Sequence, residues 1–88
     1  MLHKIKILPQ FVAPILSGDK RFEVRNNDRC YNKGDTIRFT VVGDRDEMTS
    51  ELQTACDVLE ANTYEVTYVV SGYGLKNGYV AFGIRELV

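Results

Sequence analysis

The chain has 88 residues, 44% hydrophobic and 26% charged, with a net charge of -1 at neutral pH. That balance suits one modest hydrophobic core over residues 1–88, a single domain, and argues against disorder or two cores. Two cysteines without ligand spacing, one histidine and no long apolar run argue against a disulfide scaffold, a metal site and a membrane span. Cys30 and Cys56 are expected to be reduced thiols in a cytoplasmic protein, because no apolar stretch of signal-peptide length stands near Met1.

In chain order, His3, Ile5 and Ile7 alternate with Lys4 and Lys6, which predicts a half-buried strand over 3–8. Pro9 suits a first helical position. Phe11, Val12, Ile15 and Leu16 follow at helical spacing, Pro14 should kink or shorten that helix, and Gly18 supplies a left-handed cap. Residues 20–25 alternate again, with Phe22 and Val24 expected to face the core and Arg21, Glu23 and Arg25 the other side. Asn27 joins that charged face by the period of two. Residues 26–35 are rich in turn formers, and strand character resumes from Thr36 to Val42.

The segment 43–63 holds an expected short helix over 50–60, with Leu52, Ala55, Cys56 and Leu59 on one stripe and a capping box from Ser50 to Gln53. Tyr64, Val66, Tyr68 and Val70 are expected on one face of the next strand. Ser71 to Gly78 is a glycine-rich connection, and Val80, Phe82 and Ile84 point one way in a closing strand. Five strands with a helix or two predict a small, mostly β, α+β domain curled into a barrel.

Charge is unevenly placed. Residues 18–38 hold six basic and four acidic side chains, whereas 43–65 hold seven acids against Arg45 alone. Lys20, Glu23, Arg25, Asn27 and Arg29 form the sharpest constellation. A guanidinium grips phosphate or carboxylate at two points, and a carboxylate accepts hydrogen bonds from a base's amino group. The alternative is a solvated strand face laced with ion pairs. Gly72-Tyr73-Gly74 lacks the spacing of a dinucleotide fingerprint, so no such cofactor, and no other, is expected. Tyr73 can stack on a base, or else covers the barrel mouth. His3 reads as a strand residue with a satisfied ring, and Cys30, with no imidazole but His3 to activate it, is not taken as a nucleophile.

The G-x-K-x-x-E-x-R element formed by Gly18, Lys20, Glu23 and Arg25, followed by Lys33-Gly34-Asp35, resembles the ASCH branch of the PUA-like superfamily. His3 through Pro9, Asn27-Asp28-Arg29 and Gly74 through Val80 resemble more closely the small DUF3850 group, often encoded by phages and prophages. The resemblance covers nearly the whole chain outside 43–62. It implies a PUA-like barrel with a cleft beside the first helix, Lys20, Glu23 and Arg25 on its wall, and an RNA or modified-nucleotide ligand. Asn27 and Arg29 are added by the DUF3850-like pattern. Some ASCH proteins hydrolyse an acylated cytidine with a lysine, a threonine and a carboxylate. Lys20 matches the lysine, Glu23 stands at the threonine position, and residues 71–78 offer no acid.

Three functions follow as expectations. The first is an RNA- or nucleotide-binding module using Lys20, Glu23, Arg25, Asn27, Arg29 and Tyr73. The second is a small hydrolase with Lys20 and Glu23 as catalytic groups. The third is a phage-type factor that meets a protein partner through the acidic segment 43–63.

Overall fold

The computed structural model describes residues 1–88. Five strands make one mixed sheet: β1 (Leu2–Ile7), β2 (Phe22–Asn26), β3 (Thr36–Val41), β4 (Thr63–Ser71) and β5 (Tyr79–Leu87). Their order across the sheet is β1-β3-β4-β5-β2, with β1 parallel to β3 and the other pairs antiparallel. The sheet curls into a half-barrel, so the expected mostly β architecture stands, with two short helices, α1 (Val12–Ser17) and α2 (Ser50–Ala61). Its edges are β1 and β2, which no ladder joins.

The core follows from alternation. Ile5 and Ile7 of β1, Ile37, Phe39 and Val41 of β3, Tyr64 and Val66 of β4, and Val80, Phe82 and Ile84 of β5 all turn inward and are buried. Lys4 and Lys6 point out, as the period of two requires. Each fully buried aliphatic side chain contributes about 1.5–3 kcal/mol through burial. Val12 and Ile15 of α1 and Cys56 and Leu59 of α2 complete the same core.

Pro9 opens a 3₁₀ turn over Pro9–Phe11, and the α-helix starts afresh at Val12. That restart places Pro14 in the first helical turn, where its missing N–H removes no intrahelical bond. The helix stops after six residues at Gly18, whose φ of 84° is the left-handed cap expected there.

Three sequence expectations are corrected. On β2 the faces are reversed: Glu23 is buried, while Phe22 and Val24 are about half exposed. The cause is register, since Glu23 stands opposite the inward Phe82 and Arg25 opposite the inward Val80. On β4 the four-residue face is broken by a β-bulge between Val66 and Tyr68, which turns Tyr68 outward and lets Val69 pack against the core. The cap of α2 is Thr49 rather than Ser50: its hydroxyl accepts a hydrogen bond from the Leu52 N–H at 3.2 Å. Gln53 instead donates its side-chain amide to the carbonyls of Arg45 (2.7 Å) and Met48 (3.1 Å).

The acidic segment is built into the fold. Arg45 donates to Asp57 (2.9 Å), to Glu60 (2.7 Å) and to the Gln53 carbonyl (3.2 Å), and the second oxygen of Glu60 accepts the Val41 N–H at 2.8 Å. These bonds strap the turn before α2 to the helix and cap the end of β3.

Candidate functional site

Because β2 presents its charged face inward, Lys20, Glu23 and Arg25 meet at the open side of the half-barrel. Glu23 accepts hydrogen bonds from the Lys20 ammonium and, at 3.4 Å, from the Arg25 guanidinium. The carboxylate is the most enclosed member, with its side chain 6% exposed against 15% for Lys20 and 27% for Arg25. Lys20 also donates to the Phe22 carbonyl at 2.7 Å, and its Nζ lies 4.9 Å and 5.0 Å from the ring centroids of Phe11 and Phe22. Two cations around one carboxylate leave a net positive charge held between aromatic rings.

Arg25 has a further duty. Its Nη1 donates to the Lys6 carbonyl at 2.8 Å, reaching from one edge strand to the other. Tyr31 packs beside it, its ring 4.6 Å from Phe82 and 4.8 Å from His3. Burial pushes the Tyr31 hydroxyl above its ordinary pKa, against the lowering influence of Arg25 and Arg29.

His3 is buried and satisfied as expected: its Nε2 lies 2.8 Å from Asp35 Oδ2. Asp35 also accepts from the Asn32 N–H (3.0 Å) and the amino group of Met1 (3.1 Å). Burial alone would raise the Asp35 pKa. The hydrogen bonds from His3, Asn32 and the terminal ammonium outweigh it and hold the carboxyl below its usual value.

Beside this cluster, a cleft of about 420 Å³ lies between the end of α1 and the strands β4 and β5. Ile15, Leu16, Tyr64 and Ile84 give it an apolar wall; Lys20, Arg21 and Arg85 face one carboxylate, Glu86. Tyr64 has a raised pKa, chiefly from burial, with the Asn62 hydrogen bond opposing and Glu86 adding. Arg21 is braced by donation of its Nε to the Gly18 carbonyl at 2.7 Å.

The six sequence-derived residues therefore do not line one hollow. Lys20 belongs to both cluster and cleft, whereas Glu23 and Arg25 belong to the cluster alone. Asn27 is exposed, and its Oδ1 accepts the Tyr31 N–H at 3.2 Å, which shapes the loop after β2. Arg29 is exposed on that loop. Tyr73 projects from the connection between β4 and β5, 97% exposed with φ of 51°, away from the cleft. Sequence reasoning missed Arg85, Tyr64 and Tyr31. The one available signal was the run Ile84-Arg85-Glu86, where inward alternation gives way to charge at the end of the closing strand.

A family model described as a domain of unknown function, DUF3850, matches residues 2–84. The chain belongs to the DUF3850 family. A search of the curated proteins found no match. The DUF3850 match takes in the whole ion cluster and the His3–Asp35 pair, and reaches the cleft wall at Ile84. No helix is long and apolar enough to cross a membrane.

Proposed function

We propose that this DUF3850 protein binds a nucleotide or modified nucleoside, free or within RNA, in the cleft between α1 and β4–β5. The observation that carries the reading is the cleft's make-up: an apolar wall of Ile15, Leu16 and Ile84 facing Lys20, Arg21 and Arg85, of which Lys20 pairs with Glu23 and Arg85 with Glu65, while Arg21 has no carboxylate partner and Glu86 is the one carboxylate on the lining. A volume of about 420 Å³ lies within the range of small-molecule sites. A planar base rests on the apolar wall and beside Tyr64, while phosphate meets the guanidinium groups. Glu23 serves as the counter-charge that fixes the Lys20 ammonium at the cleft mouth. The ASCH-like element at Gly18, Lys20, Glu23 and Arg25 adds kinship with the PUA-like proteins to this support, and the two free cysteines fit a cytoplasmic setting.

Binding is better supported than hydrolysis. Glu23 is already bonded to Lys20 and Arg25, and the connection between β4 and β5 carries no acid to take a second role.

The test is calorimetric titration of the four ribonucleoside monophosphates, an N-acylated cytidine and a short RNA. At least one should bind at low salt, with affinity that falls as salt rises. Lys20→Met and Arg21→Gln should each weaken it about fivefold or more, the scale of one lost charged hydrogen bond. No binding by any of these ligands at low salt refutes the reading.

A further inference from the structure

The outer, convex face of β2, β5 and β4 is apolar and uncovered. The register sets its rows: Tyr68, Gly83 and Phe22 stand side by side, and Val70, Ala81 and Val24 stand in the next row. Phe22 is 50% exposed, Val24 47% and Tyr68 68%. Tyr79 follows at the far end of β5, opposite Asn26. A Cβ at Gly83 would collide with Thr67 Oγ1, so the floor between the two exposed rings is low and carries a hydroxyl.

None of the eight row positions is a carboxylate. A cation stands at the far end, where the Lys76 Nζ lies 5.7 Å from the Tyr79 ring centroid. Glu65, outward on β4, is tied up by Arg85.

We propose that this face is a stacking platform for single-stranded nucleic acid, with one base against Phe22 and another against Tyr68. The two residues sit on strands that flank β5, about 10 Å apart in backbone position at two strand spacings. Aromatic rings accept any base through its π-face, and Lys76 meets a phosphate. The Thr67 hydroxyl on the floor can hydrogen-bond a base edge. Curvature favours this occupant over a second copy of the chain. Two convex faces touch only along a tangent, whereas a flexible strand follows the curve. The platform is distinct from the cleft and does not depend on it.

The experiment uses the full chain and fluorescein-labelled decauridylate and decathymidylate, read by anisotropy at low salt, with uridine monophosphate titrated in parallel. The oligomers should bind much more tightly than the mononucleotide. Phe22→Ala and Tyr68→Ala should each weaken oligomer binding about fivefold or more, while Tyr68→Phe retains it. Val58→Ala, a substitution at an exposed position on α2, should match the wild type. Circular dichroism confirms that each variant is folded. The proposal is overturned if both alanine variants bind the oligomers as the wild type does, or if no oligomer binds. It is equally overturned if the two substitutions dissolve a dimer in sedimentation without changing oligomer affinity. Tight oligomer binding without uridine monophosphate binding supports the platform as a site separate from the cleft.

Discussion

Glu23→Gln should destabilise the protein by about 2 kcal/mol, because it leaves two cations facing a neutral group. The figure comes from the geometry. Removing one partner of a fully buried ion pair costs about 3–5 kcal/mol. Glu23 is close to that limit, but Lys20 and Arg25 keep 15% and 27% of their side-chain surface in contact with solvent. Each cation also keeps a carbonyl partner, Phe22 O at 2.7 Å and Lys6 O at 2.8 Å. Glutamine preserves the shape opposite Phe82, so no cavity adds to the loss. Domains of this size unfold with a urea slope of about 1–1.5 kcal/mol/M, so the midpoint should fall by about 1.5 M. Urea titration followed by far-ultraviolet circular dichroism measures it directly. Adding Lys20→Met to Glu23→Gln should recover part of the loss, since the second change removes a stranded charge. A midpoint shift below about 0.4 M in the single variant would refute the claim that this carboxylate holds the cluster together.

Three further outcomes follow from local geometry. Thr49→Ala should cost about 1 kcal/mol in thermal or urea unfolding, while Ser50→Ala should be close to neutral, because the Leu52 N–H bonds to Thr49. Gly83→Ala should cost about 1–2 kcal/mol by collision with Thr67 Oγ1, and Thr67→Ala in the same chain should restore the melting temperature. The Asp35 carboxyl has a depressed pKa in the folded state, so its contribution is present above the unfolded value and is lost as pH falls through the folded one. Melting temperature against pH should therefore drop more steeply below about pH 4 in the wild type than in Asp35→Asn.

Alternation in β1, β3 and β5 was enough to name the core, because apolar residues there recur at every second position and each face meets one environment. On β2 the same rule identified which residues share a face and misassigned which face is inside. Phe22 and Val24 look like core residues, yet β2 is an edge strand whose inner side meets the polar opening of the half-barrel, where Lys20 and Arg25 neutralise Glu23. Tyr68 was misplaced because a bulge shifts the period by one residue with no glycine or proline inside β4 to mark it; the mark, Gly83, lies on the partner strand. The partner of His3 lies 32 residues away, and parallel pairing of β1 with β3 sets Thr36 beside Leu2 and so brings Asp35 within reach. Such a meeting is a property of topology, which local spacing does not carry. The cleft at the end of α1 is walled by Ile15 and Leu16 and by Tyr64, Ile84 and Arg85, and only the curl of the sheet delivers the last three there.

The bond from Arg25 to the Lys6 carbonyl works as a clasp on an otherwise unfastened cylinder. Where a closed barrel would spread that duty over a full set of main-chain bonds, here one guanidinium spans the gap and screens an acceptor that a stray peptide would otherwise find. Losing the clasp would therefore do more than loosen a side chain. It would turn a guarded margin into an invitation for another chain's strand, and the symptom would be aggregation at high protein concentration on top of a lower melting point.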